Sequence, residues 1–560
     1  MRSLTFIFAF IPLLSTSAVT AFPSKKCKIG RCEFDSANSP KCWGDYSLDT
    51  NWYNESPNTG VTREYWFDIQ DGTAAVDGVE RAVMTVNGQF PGPTIIADWG
   101  DWVVVHVTNS LQDNGTSIHW HGLRQEMTPS EDGVASITQC PIAPGDSYTY
   151  RWRAEQYGHS WYHSHFSLQA WNGVVGGIQI NGPASAPYDE DKGVLLLSDW
   201  FHKTTDQLWD LAKTGVPPPA QNGLINGTNV YSNSGERFET TFTSGKRHRL
   251  RLVNTAIDTF FKFSIDNHKL TIIAADLVPI KPYTTEILSI GIGQRYDVIV
   301  EAKQGAGDFW LRAVPDTACS ATNEMQDDIK GIVRYDSRSA ADPQTAPYSF
   351  TMDCLDEAMS DLVPYVALDV EAPATRDDFD IGFTLANGLW KWTLNNQTFL
   401  SNWSSPTLLQ AVQDASVFKL SENVVQLNEK DSFVYFVIQS QLALTHPIHL
   451  HGHDFWVLAQ EADANFTDSS ALQLSNPVRR DVAMLPASGY LVIAFVTDNP
   501  GVWAMHCHIG WHTSQGFALQ LVEREAEIGD KLNLDILDNT CVNWAAYTLL
   551  KNVVQEDSGL

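Results

Sequence analysis

Residues 506–512 read His-Cys-His-Ile-Gly-Trp-His, and this run constrains the chain more than any other. Side chains alternate faces along an extended strand, so His506 and His508 point one way and Cys507 the other. If metals bind here, Cys507 serves one site and its two neighbours serve a second on the opposite face. A few covalent bonds would join the two sites, which suits the movement of electrons between metal centres. A thiolate combined with imidazoles is a blue-copper donor set.

The run is one of four His-x-His units, the others being His119-Trp120-His121, His163-Ser164-His165 and His449-Leu450-His451. His446 precedes the third unit and His512 follows the fourth, so ten of the sixteen His fall in these motifs. A single such pair is ordinary on a strand. Four pairs, each beside Gly, Trp or Pro, point to metal, because each pair can aim two nitrogens at one point. The eight paired His could hold three metal ions and leave positions open for a small molecule. His106, His159, His202, His248, His268 and His453 are given no ligand role; His159 and His453 lie close enough to ligands in sequence to hydrogen-bond near them.

Around these motifs the chain reads as short β-rich segments broken by Gly, Pro and Asn. It also repeats internally. Gly100-Asp101 leads into WVVVHVTN, Gly245-Lys246 into RHRLRLVN, and Lys430-Asp431 into SFVYFVIQ. Ser117–His121, Ser264–His268 and Pro447–His451 follow these strands in turn. The middle copy has Asp266 where the outer copies have His, so His268 is expected to be structural. A later strand recurs as WYHSH (161–165), WLRAV (310–314) and WAMHCH (503–508). Ser164 stands in the place of Cys507. The first copy can therefore share in a His cluster but cannot build a thiolate site, and the middle copy can build neither.

SIHWHG (117–122), SWYHSHF (160–166), HPIHLHGH (446–453), NPVRRDV (476–482) and HCHIGWHTSQGF (506–517) together resemble the multicopper oxidases, and among them the secreted ascomycete laccases. The resemblance covers nearly the whole chain after residue 21. It implies an all-β protein of three cupredoxin-like sandwich or barrel domains, expected at 45–187, 188–345 and 346–560. It implies four copper ions. The type 1 copper would take His446, Cys507 and His512, with Phe517 at the axial position where a weak Met ligand is often found; Phe517 has no donor atom, which should raise the reduction potential. The type 2 copper would take His119 and His449. One type 3 copper would take His121, His163 and His508, the other His165, His451 and His506. Asp132 and Asp481 match acids that supply protons near the cluster, and Asp258 matches a carboxylate beside the phenol pocket. His512 would be the ligand nearest the donor. The residues Asp557-Ser558-Gly559-Leu560 match a tail that plugs the channel to the cluster.

The implied reaction is one-electron oxidation of phenolic or aromatic donors coupled to reduction of O2 to water. A ferroxidase is the alternative, and needs acids around the donor-side His; Asp258 is one. Ascorbate and bilirubin oxidation go with the axial Met that Phe517 replaces. A non-catalytic copper carrier needs only one site.

The remaining features bound the setting. Asp and Glu number 66 against 37 Lys and Arg, a net charge of −29, which repels nucleic acid and anionic membranes. Residues 1–21 read as a secretory signal: Arg2, then an apolar run from Leu4 to Leu14, then small residues ending at Ala21. Lys25-Lys26 could mark a further cut. No stretch is long and apolar enough to span a bilayer. Sequons begin at Asn54, Asn114, Asn226, Asn396, Asn402 and Asn465. A secreted monomer is expected. With Cys507 set aside as a ligand, seven Cys remain, and spacing does not fix their pairing. The resemblance implies Cys32–Cys42, Cys140–Cys541 and Cys319–Cys354, leaving Cys27 over.

Overall fold

The computed structural model describes residues 42–560 apart from 336–337, 372–374, 387, 414–417 and 468–471. The expected leader, Lys25-Lys26, Cys27 and Cys32 lie outside the described residues.

The repeated strands take equivalent places in three sheets. Trp102–Asn109 runs parallel to Thr62–Ala74 on one side and antiparallel to Ser147–Arg153 on the other. Arg247–Asn254 has the same neighbours in kind, parallel Glu190–Trp200 and antiparallel Arg295–Glu301. So does Phe433–Ser440, between parallel Thr375–Ala386 and antiparallel Tyr490–Val496. Each of these sheets is accompanied by a second sheet built from the same stretch of chain, which makes three β-sandwich units. Burial follows strand period: along Trp102–Asn109 every second residue is buried and the others are partly exposed. Arg247–Asn254 is buried almost throughout.

The second sheet of each outer unit carries the His motifs. In the first, Ile118–Trp120 pairs with Gly158–Ser164, placing His119 opposite His163. In the third, His446–Leu450 pairs with Gly501–Cys507, placing His449 opposite His506 and Ile448 opposite Cys507. The middle unit pairs Phe261–Ile265 with Asp308–Pro315 in the same way. Just past the end of its first strand stands Asp266, which accepts from Nε and one terminal nitrogen of Arg312, each at 2.7 Å. An ion pair thus replaces the lost ligands. His268 donates from Nδ1 to the Asp266 carbonyl and contacts the Tyr335 hydroxyl, as its structural reading requires.

One apolar core runs through the middle and third units and includes Cys507 and Phe517. A second core fills the first unit and also holds Val502, Ala504 and Ala518 of the third. Cys140–Cys541 and Cys319–Cys354 are bonded, and Cys507 is a free, buried thiol. The motif reading does not single out the 18-residue helix Leu534–Lys551. Its signal was the i, i+4, i+7 spacing of Leu537, Cys541 and Trp544. Leu537 packs with the first unit's core and Trp544 with Cys140 and Phe166.

Candidate metal centres

Alternation along Gly501–Cys507 separates two clusters. On one face the Cys507 sulfur lies 3.8 Å from His446 Nδ1 and 3.6 Å from His512 Nδ1, and all three residues are buried. His446 starts its strand, and His512 sits in the short helix Gly510–Ser514 that follows the strand of Cys507. The Phe517 ring packs 5.0 Å from the His446 ring, bringing no donor atom to this face. Trp392 closes it from the hairpin Thr375–Leu394, 4.3 Å from the His512 ring. Burial pushes His446 down to about 3 and His512 well below the usual imidazole range. Burial also pushes the Cys507 thiol up, so the thiolate forms only with a cation beside it.

The other face meets the first unit. His121, His163 and His508 bring one ring nitrogen each within 4.8 Å of one another, and so do His165, His451 and His506. His119 and His449 form a third group in which His121 also lies within reach. Rings of the cluster are oriented by their own Nδ1 hydrogens: His119 donates to the Asp132 carbonyl at 2.8 Å, His449 to the Asp481 carbonyl at 2.8 Å, and His163 to the Ser164 carbonyl at 3.0 Å. The Nε2 atoms of these three rings are buried and bond to nothing in the protein. His506 donates to the carbonyl of Cys507 at 2.9 Å, and His451 to the Asp132 carboxylate at 2.9 Å. Burial and mutual crowding hold His121, His163, His165, His449, His451 and His508 well below the usual range, and His506 at about 4. Lowered in this way, these seven rings favour the neutral form with its free lone pair, as metal binding requires. Orphaned imidazole nitrogens on one face and a thiol between two imidazoles on the other fit copper.

Carboxylates lock this arrangement. Asp132 belongs to the first unit, but its Oδ2 holds His451 of the third while its Oδ1 lies 3.2 Å from His119 Nδ1. Gly133 makes that possible: at φ +74° a Cβ there would fall 1.8 Å from the Ile118 carbonyl oxygen. Asp481 lies 3.3 Å from His121 Nε2 and receives both Arg295 terminal nitrogens at 2.5 Å. Arg295 comes from the middle unit, and its backbone N–H donates to Asp276, which also accepts from Arg480. Burial pushes Asp481 up to about 7 despite Arg295. Sequence reading missed Arg295 and Asp276, because neither stands in a His motif.

Asp258 lies on the loop after Arg247–Asn254, buried, and its carboxyl is pushed well above the usual range by burial and by Asp199. Residues 557–560 are buried. Ser558 bonds to the carbonyls of Ser514 and Thr513, at 3.0 and 2.7 Å. Leu560 borders a cavity of about 20 Å³ with His163, His165, His506 and His508 on its wall. Of the His given no ligand role, His159 bonds the Leu252 carbonyl and lies 3.1 Å from Asp297, and His453 lies 2.9 Å from Glu523.

Known proteins are similar to this chain in sequence and fold. Multicopper oxidase family profiles match residues 68–185, 191–336 and 392–527. A laccase-2 of Botryotinia fuckeliana is 48% identical over the full length of both chains. The crystal structure of a laccase from Botrytis aclada, 49% identical, superposes with a TM-score of 0.91 over 94% of this chain and 99% of that one. Fet3p, a multicopper oxidase described as functioning in iron import, is 29% identical with a TM-score of 0.76 over 89% of this chain and 97% of its own.

Proposed function

The chain belongs to the multicopper oxidase family and is an oxidoreductase of the laccase type, and from that premise we propose how its residues divide the reaction. Four copper ions would be held: a type 1 ion by His446, Cys507 and His512, a type 2 ion by His119 and His449, and a type 3 pair by His121, His163 and His508 and by His165, His451 and His506. One observation carries this reading: the end of one strand presents Cys507 to one donor cluster, and His506 with His508, the residue just past the strand, to the other. Copper supplies one-electron steps there, so that phenolic donors are oxidised singly while O2 takes four electrons to become water. Unit boundaries follow as 45–187, 188–345 and 346–560.

The chain's own residues do the rest. The Cys507 carbonyl accepts from His506, so bonded atoms connect the two faces with no gap. Asp258 accepts the phenolic proton as the electron leaves, which spares the donor a cationic radical. Asp481, held near 7, and Asp132 hold and pass protons beside the His cluster. Phe517, packed against the His446 ring, would offer a copper ion at this cluster no further donor atom. Residues 557–560 act as a plug between solvent and the cluster, supported by their burial against Thr513 and Ser514.

The chain is secreted and glycosylated: all six sequon asparagines are exposed, and no helix among the described residues is long and apolar enough to cross a membrane. It acts as a monomer, since both donor clusters are complete within one chain. The likeness to Fet3p makes a ferroxidase the reading to exclude. Copper content with O2 uptake on a phenol and on Fe(II) decides between them. Four coppers per chain and faster uptake on the phenol are expected; preference for Fe(II) would sink the laccase assignment.

A further inference from the structure

Asp199 belongs to no motif, yet its carboxylate moors the loop that carries Asp258. It is the last residue but one of the strand Glu190–Trp200 and is buried. Its Oδ1 accepts the Ile257 N–H at 3.0 Å, and its Oδ2 accepts the Asp258 N–H and the Thr259 hydroxyl, each at 3.0 Å. The same strand end grips the loop earlier, where the Leu197 carbonyl accepts from Thr255 N–H at 2.7 Å and from its hydroxyl at 3.1 Å. From inside the loop, Asn254 donates to the Thr259 carbonyl and accepts from the Ala256 N–H.

The loop's other side is tied to the donor-side copper ligand. The Gly510 N–H donates to the Ile257 carbonyl at 3.0 Å, and Gly510 opens the helix that carries His512. The approach is close: a Cβ on Gly510 would fall 2.8 Å from Ile257 Cγ1 and 2.4 Å from the Trp171 ring. Asp258 therefore stands between two fixed points, a carboxylate on one strand end and the element of His512.

Burying a carboxylate costs several kcal/mol unless its hydrogen bonds repay it. Here the bonds go to three consecutive residues centred on Asp258. We propose that Asp199 is a positioning residue for donor oxidation, fixing the Asp258 carboxylate relative to His512 so that a phenol loses its proton and its electron at one place. The phenol O–H bond breaks, the proton goes to Asp258, one electron goes to the type 1 site, and a neutral phenoxyl radical leaves. The proposal rests on the reading of Asp258 as proton acceptor. A misplacement of about 1 Å costs on the order of 100-fold in such geometry.

The test compares 2,6-dimethoxyphenol with ferrocyanide, which has no proton to give. In Asp199→Asn an NH2 group replaces one acceptor oxygen. Its kcat/KM on the phenol is expected to fall about tenfold or more, mainly in kcat, with ferrocyanide oxidation within twofold of wild type and the blue absorption intact. Asp199→Asn added to Asp258→Asn is expected to cost nothing further on the phenol, because both act through one group. Thr259→Val, which removes only the hydroxyl bond, gives a milder check, a phenol-specific loss of about threefold. Equal losses on both donors, multiplying losses in the double variant, or no phenol-specific loss in Thr259→Val would overturn the proposal. If Asp258→Asn alone fails to separate the donors, the reading of Asp258 falls and the mooring role with it. If it separates them while Asp199→Asn does not, only the mooring role is wrong.

Discussion

Burial of Asp258 next to Asp199 sets its proton affinity above that of an ordinary carboxylate, and this fixes the sign of a pH effect. Protonated Asp258 cannot accept a phenolic proton. Phenol oxidation is therefore expected to fall with acid from a pH above the usual carboxylate range, while ferrocyanide oxidation keeps its rate there. Profiles of kcat/KM against pH on both donors check this, and Asp258→Asn should flatten the acid limb for the phenol at a level about 10-fold to 100-fold lower. Phe517 gives a second residue-level expectation. Phe517→Met places a thioether beside His446 and should lower the type 1 potential, where about 59 mV is tenfold in a one-electron equilibrium; an unchanged redox titration would count against the axial assignment. The clustered His were legible in sequence because strand alternation and His-x-His spacing are local. Asp258 and Asp132 were legible only through family resemblance, since a lone loop Asp carries no pattern. Arg295, Asp276 and Asp199 had no signal, because their partners lie far off in the chain.

Among elements, the turn after the short helix Pro129–Glu131 shows how a local backbone choice reaches the site. Gly133 lets Asp132 pass over His119 to His451. Gly133→Ala sets a Cβ against the Ile118 carbonyl in a left-handed conformation, at a cost of about 2–4 kcal/mol. Thermal unfolding and copper content read together should both fall; full copper content with unchanged stability would show that the turn relaxes freely. The three repeated strands were legible as repeats, and each took the same pair of neighbours, because the motif fixes which residues face the core. The helix Leu534–Lys551 was not, since its apolar stripe is thin and its packing partners are residues such as Cys140 and Phe166, far back in the sequence.

At the scale of the molecule, the His cluster belongs to no single unit. His119, His121, His163 and His165 come from the first, and His449, His451, His506 and His508 from the third, while Arg295 of the middle unit holds Asp481 beneath them. Copper binding should therefore brace the first and third units together. A metal that binds only the folded state stabilises by about 4 kcal/mol at a thousandfold excess over its Kd. Chelation is thus expected to lower Tm by several degrees and restored copper to return it, as calorimetry would show; an unchanged Tm would argue that protein contacts alone hold the units. The sequence by itself determined the fold class, the three-fold repeat and the grouping of His and Cys into candidate donor motifs, because each is written in short-range patterns of alternation and spacing. Only the tertiary structure decided which face of each strand meets which unit, and which buried charges orient the ligands. Those choices depend on contacts between residues hundreds of positions apart, such as Asp132 with His451 and Arg295 with Asp481.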